Sequence, residues 1–168
     1  RHEIPRCQPI PQPLKTTESG GPRGYDGNKK MLGRKRHFVV DAEGLPITHT
    51  ITPANVHDSK AAPEVIQQAK AQEPELEVVI GDKAYKGKPL QARAQKSGVR
   101  VEVVDQKTSR PQFVPIKHRW KVERSIAWHG RNRRLSRDYE RRIESSASVV
   151  AIASIGILLR RAAGANSP

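Results

Sequence analysis

Short runs of apolar residues that are typical of strands occur at four places in the chain, and two of them alternate apolar with polar residues. Residues 35–41 and 45–52 are separated by a turn-like segment that contains glycine, so together they predict a β-hairpin. The run at 76–81 is apolar except at Glu77, and its continuous stretch Val78–Gly81 is typical of a strand covered on both faces. Alternating valines at 99–103 predict a last strand nearer the edge of the sheet.

Helices are predicted between and after these strands, at 61–71, 89–96, 118–133 and 144–161. The last contains the longest apolar tract of the chain, 147–159. A bilayer needs roughly 20 such residues, so this tract predicts a buried core helix rather than a membrane span. The order of elements predicts an α/β layered sheet with mixed strand directions, flanked by helices.

The N-terminal segment is different in character, because proline and glycine recur along residues 1–30 and core-forming residues are few. Proline removes backbone donors and glycine raises the entropy lost on ordering, so this segment is predicted to be an irregular arm. A loop is predicted at 108–115 and a disordered tail at 163–168.

Charge narrows the choice of partner. The chain has 31 Lys and Arg against 17 Asp and Glu among its 168 residues, for a formal net charge of +14. Such an excess favours a polyanionic partner such as DNA or RNA; the alternative is that the basic residues are merely solvated at the surface. No membrane partner is predicted, because the cations are not confined to one amphipathic helix. Cys7 is the single cysteine, which excludes an intramolecular disulfide and a cysteine zinc site and fits a reducing cytoplasm.

Two acids stand where metal chemistry would need them. Asp82 follows the buried run directly, and Glu123 lies in a helical stretch rich in arginine and tryptophan. Carboxylates suit Mg²⁺ and leave room for water and phosphate in its coordination. The alternatives are that Asp82 caps the next helical turn, and that Glu123 forms an ion pair with Arg119 one turn earlier. The two roles of Glu123 are compatible, since an arginine can orient a metal-binding carboxylate.

Basic and aromatic residues around these acids predict a DNA-binding face. Arg124, Trp128 and Arg131 share one side of the predicted helix, which suits cation–π stacking and phosphate contacts, although Trp128 could equally be a core residue. The other predicted phosphate contacts are Lys83, Lys86, Arg133 and Arg134. Asp41, His57 and Asp58 are predicted to serve turns and caps.

At these residues the chain resembles bacterial insertion-sequence transposases of the DDE class, in their C-terminal part. The matching stretches are 15–30, 33–41, 54–58, 81–85 and 119–140. The resemblance implies an RNase H-like catalytic core, in which two aspartates and a glutamate bind two divalent metals, Mg²⁺ or Mn²⁺. It also implies cleavage and transfer of DNA strands during transposition.

Carried over by motif, Asp82 matches the second aspartate of the family and Glu123 its glutamate, with Arg119 as the arginine four residues earlier. The position of the first aspartate is occupied by Ile10. The family's tyrosine and lysine positions hold Ile116 and Gly130, and Arg131 is a candidate substitute for that lysine. The sequence therefore predicts a partial catalytic domain at 31–162 that lacks its first strand and is inactive alone.

The expected partner is double-stranded DNA at transposon ends, and a homodimer is left open. Asp82 and Glu123 are expected to lie close enough to share metal ions, about 4–8 Å apart. Two rival hypotheses remain: a DNA- or RNA-binding remnant without chemistry, and a different nuclease of the same broad fold.

Overall fold

A computed structural model describes residues 6–18, 20–104 and 119–164. The predicted loop at 108–115 and the last four residues of the predicted tail lie outside these ranges. The strands are β1 (Arg6–Lys15), β2 (Gly24–Asp26), β3 (Met31–Val40), β4 (Pro46–Pro53), β5 (Val78–Gly81) and β6 (Arg100–Val103). The helices are α1 (Asp58–Gln72), α2 (Lys88–Lys96), α3 (Arg119–Gly130) and α4 (Ile143–Ala162), with short 3₁₀ turns at Lys83–Tyr85 and Arg133–Leu135.

The strands form one mixed sheet. β3 pairs antiparallel with β1, β2 and β4, whereas β1, β5 and β6 run parallel to one another. The parallel strands are joined by crossovers that contain helices, as parallel pairing requires. This arrangement confirms the predicted α/β class with mixed strand directions, and it confirms the hairpin and the two later strands.

The N-terminal segment corrects the prediction of an irregular arm and of a missing first strand. Residues 6–15 form β1, which lies between β3 and β5 in the sheet. Pro9, Pro11 and Pro13 fall at alternate positions, opposite Val39, His37 and Lys35 of β3. In an antiparallel pair, alternate residues direct their backbone groups to the same edge, so all three missing donors lie on the side away from β3. The pairing with β5 reaches only to Cys7, which leaves that edge without a ladder to disrupt.

The sheet separates two apolar clusters. On one face Cys7 and Val39 pack with α1, α2 and the buried Tyr85. On the other face Ile10 and Phe38 pack with Leu135 and with α4. Successive side chains of a strand point to opposite faces, which is why neighbours such as Phe38 and Val39 serve different clusters.

Buried cations on β3 hold the second layer in place. Arg34 is fully buried, and its guanidinium forms an ion pair with Asp138 at 3.2 Å. The same guanidinium donates to the backbone carbonyls of Pro22, Glu140 and Arg141. Asp138 is itself buried and accepts a hydrogen bond from the Ser146 hydroxyl in the first turn of α4. These contacts fix where the segment before α4 crosses the sheet.

Two further basic residues of β3 are also internal. Arg36 donates to the carbonyl of Leu135 at 2.8 Å, and burial lowers its pKa to about 10. Lys35 points to the other face, where its ammonium lies 3.2 Å from Asp58 and 3.5 Å from Asp26. Part of the positive charge therefore lies inside the fold, where it cannot contact a nucleic acid.

α4 differs from its prediction as a buried core helix. Its inner face packs against β4 and α3, and Val150 and Ile157 are buried. Its outer face leaves Ile152 69% and Leu159 64% exposed. By length and composition alone α4 could cross a membrane, but a core helix meets the same criteria.

We predict that Asp138→Asn destabilises the fold by about 3–5 kcal/mol, because it leaves the Arg34 guanidinium buried without its counter-charge. The matched control is Glu140→Gln, which breaks the exposed ion pair of Arg134 with Glu140. That control should cost less than about 1 kcal/mol. Urea unfolding of both variants measures the difference, and equal losses would show that the buried pair has no special role.

The buried His37 makes stability depend on pH. Its ring nitrogen Nε2 lies 2.9 Å from the Thr52 hydroxyl, and burial lowers the pKa of His37 to about 4. The unfolded chain has a histidine pKa near 6.5, so it takes up a proton first as pH falls. The contribution is fully present above about pH 6.5 and is lost towards pH 4, on the order of 3 kcal/mol.

A His37→Gln variant should lose correspondingly less stability between pH 7 and pH 4, because glutamine does not titrate and can still bond to Thr52. Urea midpoints of both proteins across this range give the comparison. Parallel pH profiles would show that His37 is not the group responsible.

Candidate active site and nucleic-acid interface

Asp82 is held by a turn at the carboxyl end of β5. Its Oδ1 accepts a hydrogen bond of 2.9 Å from the Ala84 N–H, which caps the 3₁₀ turn Lys83–Tyr85. A Cβ at Gly81 would lie 2.7 Å from Cγ of the buried Tyr85 ring, so only glycine fits there. The tyrosine therefore ties this turn to the core. The predicted cap is confirmed, and because it uses one carboxylate oxygen, the second remains for a ligand.

Extending the register of β1 and β5 would bring Ile10 alongside Asp82. The two strands are parallel, with Cys7 opposite Val79. Paired positions of parallel strands direct their side chains to the same face. Ile10 is only 2% exposed and packs with Phe38 and Leu135. The site where the resemblance expects the first aspartate is thus an apolar core position on a well-formed strand.

Glu123 is on α3, and its side chain is exposed. This helix packs against β1 and α4, so β1 is the neighbour of both β5 and α3. The β3–β4 turn supports the start of the helix, where a Cβ at Gly44 would lie 2.9 Å from the Lys121 carbonyl oxygen. The side chain of Arg119 lies outside the described part of the chain, so its ion pair with Glu123 stays a prediction.

An aromatic–cation stack runs along α3. The Arg124 guanidinium lies 4.2 Å from the ring centroid of Trp120 and 5.6 Å from that of Trp128. The predicted cation–π contact with Trp128 is confirmed, and Trp128 is partly buried as well. Trp120, about half exposed, was missed by the sequence analysis. Its position four residues before Arg124, the spacing of helical neighbours, was the available signal.

Exposed arginines follow the helix. Arg131, Arg133 and Arg134 are all exposed, where α3 ends and the next 3₁₀ turn begins. Arg134 forms an ion pair with Glu140 at 2.7 Å, which offsets part of its charge. Arg133, Arg134 and Tyr139 line an open groove of about 540 Å³. Lys83 and Lys86, next to Asp82, are exposed too.

Asp41, His57 and Asp58 stabilise a turn and the start of α1, as predicted. Asp41 accepts hydrogen bonds from the N–H groups of Glu43 and Leu45 and thereby shapes the β3–β4 turn. His57 caps α1 by accepting from the Ser59 N–H, and Asp58 pairs with Lys35.

A complete metal site is not formed by the side chains that the structure describes. Within residues 6–18, 20–104 and 119–164, no three His, Cys, Asp or Glu side chains form a group that could hold a metal ion. Ile10, at the position that the resemblance matches to the first aspartate, offers no oxygen. A shared metal between Asp82 and Glu123 therefore stays a prediction, and no catalytic step is assigned to a metal here.

Comparison with solved structures supports the architecture. The fold is similar to the catalytic core domain of BIV integrase, with a TM-score of 0.52 at 10% identity, covering 91% of this chain and 82% of that one. It is also similar to a chain in the simian T-cell lymphotropic virus intasome in complex with PP2A regulatory subunit B56 gamma. There the TM-score is 0.53 at 16% identity, over 92% of this chain and 49% of the other. These likenesses confirm the RNase H-like sheet.

Comparison of sequences identifies the family. The chain is 31% identical over 133 residues to a putative transposase for insertion sequence element IS402 from Burkholderia cepacia. The match covers 74% of this chain but 61% of that relative, so the chain spans less than two thirds of its length. The family model for a transposase DDE domain matches residues 11–155. The chain therefore belongs to the transposase DDE domain family.

Proposed function

We propose that this chain is the DNA-binding core of an insertion-sequence transposase, the class of protein that cuts and joins DNA strands during transposition. The observation that carries the proposal is the exposed Asp82 at the carboxyl end of β5. β5 pairs with β1, and β1 contacts α3; by the resemblance, these two elements hold the positions of the other two acids. Ligands of α/β sheets gather at strand carboxyl ends. The basic residues of the Asp82 turn and of the segment after α3 would contact DNA phosphates.

The proposed chemistry depends on carboxylates on both sides of the scissile phosphate, one set for the attacking oxygen and one for the leaving oxygen. Asp82 and Glu123 supply two of the three acids, whereas Ile10 occupies the third position with a buried apolar side chain. We infer that the chain binds DNA but cleaves it very slowly or not at all by itself. The apolar side chain of Ile10 also favours the second candidate function, which is a DNA- or RNA-binding chain that has no catalytic activity.

DNA binding should be electrostatic and non-specific in its main component. If six to ten phosphates are neutralised, affinity should fall by about 10³–10⁵ between 50 and 200 mM salt. Replacing Arg131, Arg133 and Arg134 with alanine should make the slope of log K against log salt shallower by up to about 3. Arg134 should contribute least, because Glu140 already offsets its charge.

The matched control removes three exposed cations from the opposite side of the sheet, with Lys88, Arg93 and Lys96 of α2 changed to alanine. Both variants have the same net charge, so a difference between them reports the location of DNA. Fluorescence anisotropy with a labelled duplex gives both slopes. Identical slopes would show that the segment after α3 is not the DNA-binding face.

Catalysis should be recovered by supplying the third acid. We predict that Ile10→Asp nicks supercoiled plasmid DNA in Mn²⁺, because the register of β1 and β5, if extended, would bring this position alongside Asp82. Ile10→Asn, similar in size and polarity but uncharged, should remain inactive. Adding Glu123→Gln to Ile10→Asp should abolish the activity again.

A buried charge at position 10 could also weaken folding, and thermal unfolding with and without Mg²⁺ separates the two effects. A site with three acids should be stabilised by Mg²⁺ in Ile10→Asp and far less in Ile10→Asn. Robust cleavage by the unchanged chain, lost on Asp41→Asn, would mean that the first carboxylate has been assigned to the wrong residue. A folded Ile10→Asp variant that gains neither Mg²⁺ stabilisation nor nicking would support the second candidate.

A further inference from the structure

The hairpin of β2 and β3 extends past the neighbouring strands of the sheet. β1 pairs with β3 only as far as Gly33, and β4 pairs with it only as far as Arg34. Within the described part of the chain, Met31 and Leu32 are therefore paired by β2 alone. We call residues 24–33 the ribbon, and its tip is the turn that joins β2 to β3.

The tip of the ribbon is held in one conformation by a buried acid. The Asp26 carboxylate accepts hydrogen bonds from the backbone N–H groups of Asn28 and Lys29, at 3.0 and 3.1 Å. The same carboxylate lies 3.5 Å from the ammonium of Lys35, which fixes it to the body of the sheet. A surface that is already ordered loses little conformational entropy when a partner binds.

One face of the ribbon is apolar and largely exposed. Tyr25 lies directly opposite Leu32 in the antiparallel pair, so the two side chains stand together on the same face. Tyr25 is 59% exposed and Leu32 is 46% exposed. The ribbon therefore presents an aromatic ring beside an aliphatic side chain at a projecting edge of the molecule.

Charge and shape identify the partner as duplex DNA. The exposed charged residues from position 23 to position 33 are all cations, namely Arg23, Lys29 and Lys30, and the one acid of this stretch is the buried Asp26. Such a surface attracts a polyanion. Paired strands lie about 4.8 Å apart, so a ribbon with its side chains fits the major groove of B-DNA, about 12 Å wide, but not the minor groove, about 6 Å wide.

We propose that the ribbon enters the major groove of duplex DNA, with Tyr25 and Leu32 against the edges of the bases and Lys29 and Lys30 on the phosphates beside the groove. Apolar side chains in this groove contact the methyl group of thymine. The inference rests on the proposed function, because it takes DNA as the partner. It adds a second contact, since β3 and β1 separate the ribbon from β5 and the turn that carries Asp82.

The phosphate contacts are tested by the salt dependence of binding, measured by fluorescence anisotropy of the full chain with a labelled DNA duplex of mixed sequence. Changing Lys29 and Lys30 to alanine should make the slope of log K against log salt shallower by about 1.8, because two phosphate contacts are lost. The matched control changes Arg93 and Lys96 of α2 to alanine. α2 packs against β6, at the opposite edge of the sheet, so this control should keep the wild-type slope at the same net charge.

The groove contact is tested by comparing DNA with RNA. Changing Tyr25 and Leu32 to alanine should weaken binding to the DNA duplex about tenfold without changing the salt slope. The major groove of an RNA duplex of the same sequence is too deep and narrow for side chains to read, so this variant should bind RNA as the wild type does. Tyr25→Phe combined with Leu32→Met keeps the apolar surface and should bind DNA like the wild type.

Two results would overturn the proposal. One is a salt slope that the loss of Lys29 and Lys30 leaves unchanged, and the other is an equal loss of DNA and RNA binding when Tyr25 and Leu32 become alanine. If either occurred while the alanine variant of the segment after α3 still had a shallower slope, the proposed function would stand without the ribbon. A wild-type chain that binds no duplex DNA would contradict both.

Discussion

Burial of the Arg34 guanidinium is the constraint on which the arrangement of the second layer depends. Taking this cation out of water is unfavourable unless a counter-charge and acceptors surround it. Asp138 and the carbonyls of Pro22, Glu140 and Arg141 provide them. The last two carbonyls come from the segment that leads into α4, and the Asp138 backbone also bonds to the end of β1. One side chain of β3 thus fixes the path between α3 and α4, and with it the surface on which the exposed arginines lie.

Local pattern predicted most of the sheet, and its one large failure has a physical cause. The hairpin, the apolar strand β5 and the alternating β6 follow from periodicity, because their burial is regular. β1 was missed because its prolines were taken as opposed to any central strand. Their spacing of two residues places every missing donor on one edge, and a strand paired mainly on its other edge tolerates that. α4 was predicted to be buried all round, although its outer face is exposed. Composition shows that a helix is apolar, but it does not show which of its faces is covered.

The site was predictable where a residue's role depends on its own strand or helix, and less so where it depends on distant contacts. Asp82 follows a buried strand, which suggested both its cap and its place at the sheet edge. The excess of positive charge suggested DNA, but it did not show that Arg34, Lys35 and Arg36 are internal. Those three cations stabilise the fold, so the DNA-binding surface has to be sought on the segment after α3 and beside Asp82. Nothing in the local sequence around Ile10 shows that this residue is buried in the core.

The proposed convergence of Asp82 and Glu123 on one metal site beside β1 can be tested directly by paramagnetic broadening in a methyl-labelled sample. Mn²⁺ bound by both carboxylates should broaden the Ile10 methyl signal first and leave Ile152, on the outer face of α4, sharp, with Mg²⁺ as the diamagnetic control. Replacing Asp82 with Asn or Glu123 with Gln should remove the effect. An unaffected Ile10 signal, or broadening centred on the turn at 41–45, would contradict a shared site for the two acids.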